Sequence, residues 1–290
     1  MRLGTLSAMA SLTSLGGRLL RAVDRAAGTQ FHTSLRAARD VGRVLAPDFR
    51  ARAQLTLAAL ALGSKRLERP VRIRVKGPDG PRPFLLSDQA TLLVLEEMFS
   101  AEEYAVSLRR PPGRILDLGS NVGASVLYFA LRYPEAEIVA VEASPALFRL
   151  LKANVGDLPN VRVRHAAVSA TSEPMVFYEG RSSWAGSTHA SDWVHAEHAT
   201  EVEGVPLDEL LDGGVDLMKI DIEGGEFDVL PASRRLASVG AVIGELHAPP
   251  GTEPAERLLG LFRGWHVDST APNPAVPQYS TVFTALRGAA

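Results

Sequence analysis

Two stretches of the chain pair acidic side chains with glycines at spacings that suit work on a bound ligand. The first, Ile115-Leu-Asp-Leu-Gly-Ser-Asn-Val-Gly123, reads D-x-G-x-x-x-G. Its glycines let backbone approach a ligand where a strand turns into a helix, which is where open α/β sheets bind nucleotide-like molecules. The loop lacks the G-x-G-x-x-G spacing of a pyrophosphate site. Asp117 suits instead a ligand with a cationic end, met directly or through the loop, with Gly119, Ser120, Asn121 and Gly123 as the cradle. Nineteen residues after Gly123 stands Glu142, placed to accept hydrogen bonds from both hydroxyls of a ribose. Ala143 follows it, and in His165-Ala-Ala-Val168 the small side chains of Ala166 and Ala167 are placed to flank a flat base.

The second stretch, Lys219-Ile-Asp-Ile-Glu-Gly-Gly-Glu226, follows another apolar strand and carries Asp221 and Glu223 to the same sheet edge. Gly-Glu-Leu-His247 closes the next strand, with Glu245 and His247 on one side of it. A ligand joining a nucleoside to a cationic amino acid, as S-adenosylmethionine does, meets the first set of requirements. The second set is then the reacting end. A sulfonium is already a good leaving group, so the protein has to align the acceptor and remove its proton. Asp221, Glu223 and His247 compete for that role. An imidazole near its ordinary pKa favours His247 as base, with Asp221 orienting the cofactor or substrate. Glu226 is expected to stabilise the N-terminus of the following helix. The same groups could hold Mg²⁺, but the motif fixes no three ligands, and a metal-free mechanism is preferred.

These residues need a scaffold that brings strand ends together. From Arg114 onward the pattern is strand, helix, strand, helix, which implies a parallel sheet covered on both faces. Strands are expected at Arg114–Leu118, Ile138–Val141, Val161–Val168, Asp216–Asp221 and Ala241–His247, with a closing hairpin around Trp265–Asp268 and Thr281–Leu286. Ser144 and Pro145 read as the cap and first position of a helix ending at Gly156. Residues 71–86 read as a hairpin turning at Gly77-Pro-Asp-Gly80, followed by a helix over 87–99. Ser182–Glu203 holds His189, Asp192, His195, Glu197 and His198 with Trp184 and Trp193; it fits no standard metal spacing and reads as a polar lid or surface loop.

Taken together, ILDLGSNVGAS, VEASP, HAAVS, LMKIDIEGGEFDVL and VIGELH resemble the FkbM-type methyltransferases, a branch of the class I S-adenosylmethionine-dependent enzymes. The resemblance covers roughly residues 87–250. It implies a Rossmann-like α/β fold with a seven-stranded, mostly parallel sheet whose last strand is antiparallel. It also implies methyl transfer, typically to a hydroxyl oxygen of a secondary metabolite or sugar.

Composition narrows the chemistry further. The 290 residues include no cysteine, which removes thiolate nucleophiles and thiolate metal sites. The Asn-Pro-Pro-aromatic signature of amino-group methyltransferases is missing after the fourth core strand, so oxygen is the expected acceptor. Residues 1–70 carry 12 basic and 4 acidic side chains, net +8, against 19 and 29, net −10, in the remainder. The division expected is a basic helical extension over 1–70, with helices near 6–26, 33–46 and 50–63, ahead of a methyltransferase domain over 71–290. Arg far exceeds Lys among its basic residues and Ala is abundant, as in a GC-rich, bacterial genome. The partner expected is a small hydroxylated molecule in the cytoplasm. Nucleic acid is disfavoured by the acidic catalytic part. Peripheral membrane contact through residues 1–65 and homo-oligomerisation are both compatible with the sequence. Two rivals remain: an NAD-dependent oxidoreductase on a related fold, and a noncatalytic cofactor-binding or membrane-associated protein.

Overall fold

The computed structural model describes residues 29–63, 69–180, 186–188, 194–249, 251–270 and 281–288. The chain enters through two helices, α1 (Thr29–Val44) and α2 (Phe49–Gly63), then a hairpin of β1 (Val71–Val75) and β2 (Arg82–Leu86). Helix α3 (Gln89–Phe99) follows, opened by Asp88, whose carboxylate accepts from the Thr91 amide at 2.9 Å. Next come β3 (Arg114–Leu118), α4 (Ala124–Arg132), β4 (Glu137–Glu142), α5 (Pro145–Val155) and β5 (Val161–His165). Short strands β6 (Ala167–Ser169) and β9 (Gly204–Pro206) pair with each other, as do β7 (Met175–Gly180) and β8 (Val194–Val202). The chain then runs through α6 (Leu207–Leu210), β10 (Val215–Ile220), α7 (Glu226–Ala232), β11 (Val239–Leu246), α8 (Glu253–Leu259), β12 (His266–Ser269) and β13 (Thr281–Leu286).

Seven strands form the central sheet, in the order β12-β13-β11-β10-β3-β4-β5. β13 is antiparallel to both of its neighbours and the remaining pairs are parallel, so the sheet is the one the resemblance implied. Successive strand residues face opposite sides: Ile115, Ile138 and Leu217 enter one apolar cluster, Leu116, Val141 and Met218 the other. The first cluster also takes in Ala37, Val41, Leu55 and Leu62, so α1 and α2 share a core with α3, α4, α5 and this face of the sheet.

Local chemistry accounts for some element ends. Ser144 caps α5 through a 3.1 Å bond from the Leu147 amide, Pro145 takes the first helical turn, and Gly156 closes it. The buried Asn154 on α5 donates to Leu85 O and Val122 O, tying the hairpin and the β3–α4 loop to one helix face. The third strand is shorter than expected, ending at His165. At Ala166 the backbone still donates to Glu142 O, but Ala167 turns to Glu203 O, and the chain leaves the central sheet for β9. The hairpin β7–β8 was not foreseen in the sequence. Trp184, Trp193, His189, Asp192 and the expected helix over 6–26 lie outside the described residues, while position 195 falls in β8.

Candidate active site

Two loops cross at the carboxyl edge of the sheet. The β3–α4 loop carries Gly119 with φ +74°, and a Cβ built on it would lie 1.7 Å from Asp221 O, in the β10–α7 loop. Only a glycine permits that approach, and the crossing sets the depth of a cleft of about 600 Å³. Gly119, Asn121, Glu142, Ala143, Ala166, Ala167, Asp221 and Glu223 all line it. Leu147, Val168 and Phe177 add apolar wall.

Glu142 ends β4 and is buried, with 6% of its surface exposed. One carboxylate oxygen accepts from the Asn121 amide and the other from the Ser144 amide, each at 2.8 Å. The carboxylate is thus fixed with further acceptor capacity on each oxygen. Burial pushes its pKa up to about 7 against the opposing pull of those two amides and of Lys219. Asp117, Ser120 and Gly123 are placed differently. They stand behind the loop: Ser120 Oγ donates to Asp117 O and Oδ1, and Gly123 packs toward Leu151 and Val155. Asp117 is fully buried and its Oδ1 lies 3.6 Å from Lys219 Nζ, so it meets a cation of the chain itself.

Lys219 did not stand out as a site residue, yet it organises the edge. It is 2% exposed on the central strand β10, paired in register with Asp117. Its ammonium donates to Leu118 O at 3.1 Å and Gly119 O at 2.5 Å and stands 3.7 Å from Asp221 Oδ2. Burial alone would lower its pKa; Asp117, Asp221, Glu245 and Glu142 outweigh that and raise it. A single lysine inside the apolar run Leu217-Met-Lys-Ile220 was the available signal. Tyr104, 3% exposed, carried none. Its hydroxyl donates to Glu245 Oε1 at 2.9 Å and lies 3.5 Å from Asp221 Oδ2, and its ring faces the Lys219 ammonium. Burial and the surrounding carboxylates hold its pKa well above ordinary, so the hydroxyl keeps its proton.

Asp221 therefore has one inward oxygen facing Tyr104 and Lys219. Its other oxygen, Oδ1, is buried with no hydrogen-bond partner among the described residues and lies 3.8 Å from His247 Nε2. The same imidazole nitrogen is 3.4 Å from Glu223 Oε2, and Nδ1 is 3.5 Å from Glu226 Oε1. The carboxylates around His247 shift it away from an ordinary imidazole. Burial lowers its pKa, but Glu226, Glu223 and Asp221 outweigh that and raise it well above the ordinary one. Glu223 moves up as well, because it is buried beside Asp221, Glu245 and Glu226. Glu226, fully buried, accepts from the Ile222 and Gly224 amides at 2.6 and 2.9 Å and so ties the turn that opens α7. Ligand-capable atoms of Asp221, Glu223 and His247 lie within 4.8 Å of one another.

These shifts share a sign. Burial and the charges of Glu103, Glu245, Asp221 and Glu96 push Glu97 up to about 8. With Glu97, Glu142 and His247 all raised, the folded chain binds more protons than the unfolded chain between pH 5 and 8. By linkage, stability falls as pH rises through that window. We expect Tm to be higher at pH 6 than at pH 8.5; calorimetry showing the reverse order would contradict these assignments.

The model of the methyltransferase FkbM domain matches residues 117–267, which takes in both loops and all three groups of the reacting end. AMB antimetabolite synthetase AmbE of Pseudomonas aeruginosa is 28% identical over 219 residues, or 60% of this chain; the chain spans only 10% of that protein. Methyltransferase sdnD of Sordaria araneosa is 24% identical over 241 residues, covering 70% of this chain and 93% of its own length. 2-O-methyltransferase NoeI of Sinorhizobium fredii is 26% identical over 145 residues, 44% of this chain and 60% of its own length. With the family model covering more than half of the residues, the chain belongs to the FkbM-domain family of S-adenosylmethionine-dependent methyltransferases.

Proposed function

We propose that this chain transfers a methyl group from S-adenosylmethionine to a hydroxyl oxygen of a small molecule, with residues 71–290 as the catalytic domain and 1–70 as an appended extension. The residues fit that cofactor. The bare backbone at Gly119, the fixed carboxylate of Glu142 and the small walls of Ala143, Ala166 and Ala167 would hold a nucleoside. Asn121 and Asp221 would flank its amino-acid end, with Asp117, Ser120 and Gly123 supporting the loop from behind. The cofactor supplies an electrophilic methyl group on sulfur.

The observation that carries the oxygen reading is Asp221 Oδ1, a buried carboxylate oxygen with no hydrogen-bond partner among the described residues, at the wall of the cleft. A hydroxyl placed there donates its hydrogen bond to Oδ1 and passes its proton to it as the new bond forms. His247 Nε2 stands 3.8 Å from that oxygen and 3.4 Å from Glu223 Oε2, and Glu226 faces Nδ1 on the other side of the ring. In this reading Asp221, rather than His247, takes the base role. The name of the relative NoeI, a 2-O-methyltransferase, is in line with an oxygen acceptor.

Incubating the protein with methyl-labelled S-adenosylmethionine and a panel of sugars and hydroxylated metabolites tests this reading. Asp221→Asn should lower kcat on the accepted compound about 100-fold or more, in the range general-base catalysis supplies, with S-adenosylhomocysteine affinity nearly unchanged. A chelator should leave the rate unaltered. Transfer to amines but not alcohols, or full activity in Asp221→Asn, would overturn it.

A further inference from the structure

Helix α2 is apolar on two sides. Ala51, Leu55, Ala58, Ala59 and Leu62 point into the core and are buried. Phe49, Ala53, Leu57 and Leu60, spaced i, i+4, i+8 and i+11, form a second stripe on the opposite face. Phe49 is 82% exposed and Leu57 65%; Val44, at the end of α1, is 43% exposed. Three of the five large apolar side chains left exposed among the described residues are therefore on this hairpin. On the helical wheel Arg50 and Arg52 border the stripe on either side, Arg52 with its Nε donating to Gly42 O at 3.1 Å. Residues 29–63 hold five arginines against two aspartates, and Arg50 makes no ion pair among the described residues.

An exposed apolar patch rimmed by charge marks an interaction surface. Charge selects what covers it. A second copy related by a twofold axis would set arginines against arginines. Residues 1–28 bring four more arginines and one aspartate, the same sign again. Nucleic acid satisfies the arginines but offers nothing to Phe49 and Leu57. An anionic bilayer meets both needs, with phosphate headgroups for the guanidinium groups and the headgroup–acyl boundary for the apolar side chains.

We propose that the α1–α2 hairpin docks this protein on the surface of anionic phospholipid membranes, with Phe49 and Leu57 entering the interface and Arg50 and Arg52 on the headgroups. The site lies outside the residues matched by the family model and does not depend on the methyl acceptor. The test is flotation of the full-length chain with phosphatidylcholine vesicles with or without phosphatidylglycerol. Binding should be about tenfold tighter or more on the anionic vesicles and should weaken with salt. A Phe49→Asp/Leu57→Asp double variant should lose about tenfold or more of it, with an unchanged circular dichroism spectrum and unchanged S-adenosylmethionine affinity. Arg50→Glu should lose a smaller part. Absence of anionic selectivity, or wild-type vesicle binding by the double variant, would overturn the proposal. So would light scattering that shows a dimer made monomeric by the double variant, or RNA binding that depends on Phe49.

Discussion

Gly119→Ala is expected to lose S-adenosylmethionine binding and a large part of the fold's stability together. The added Cβ would lie 1.7 Å from Asp221 O and 2.8 Å from Asp221 C, both backbone atoms that cannot swing aside as a side-chain tip can. The position also has φ +74°, which costs an alanine on its own. One of the two crossing loops must move, and these loops carry the cofactor cradle and the reacting end. We expect at least about 3 kcal/mol of destabilisation in urea unfolding, as for steric strain at an over-determined site. Gly251→Ala separates the two causes. Gly251 has nearly the same φ, +75°, with nothing within 4 Å of a built Cβ, so its variant should lose only about 1 kcal/mol. Equal losses in the two variants would mean that the crossing is not as tight as described.

Lys219→Met should be nearly as damaging, for an electrostatic reason. It strands the fully buried Asp117 carboxylate, and it takes the donor away from Leu118 O and Gly119 O. Removing one partner from a buried pair costs about 3–5 kcal/mol. For a chain of this size that is a fall in Tm on the order of 10 °C. The companion variant decides the cause. Asp117→Asn removes the charge that Lys219 leaves behind, so the double variant Lys219→Met/Asp117→Asn should recover part of the loss, whereas additive losses would show that the two side chains are not coupled.

Much of this site could be read in the sequence because its parts are local. The D-x-G-x-x-x-G loop, Glu142 at a strand end and the Ser144-Pro145 start with its Gly156 stop each depend on a few neighbouring residues, and each is found where it was expected. What escaped depends on neighbours far apart in the chain. Tyr104 meets Glu245 across 141 positions, and no local pattern announces that. The surroundings of His247 escaped for the same reason. Asp221, Glu223 and Glu226 are visible as a motif, but only the register of β10 against β11 brings all three within 4 Å of one imidazole. The third strand was overextended because Ala166-Ala-Val168 carries no local stop signal. Its end is set instead by the Ala167 amide leaving β4 for Glu203 O.

The central claim is that the cleft between these loops holds S-adenosylmethionine, anchored by Glu142. The most direct measurement is calorimetric titration of S-adenosylmethionine into the wild-type chain and into Glu142→Ala. The account predicts one site per chain in the wild type. In the variant it predicts affinity weaker by roughly 10–100-fold, the loss of one or two hydrogen bonds to a charged acceptor. No binding by the wild-type chain, or equal affinity in the variant, would contradict it.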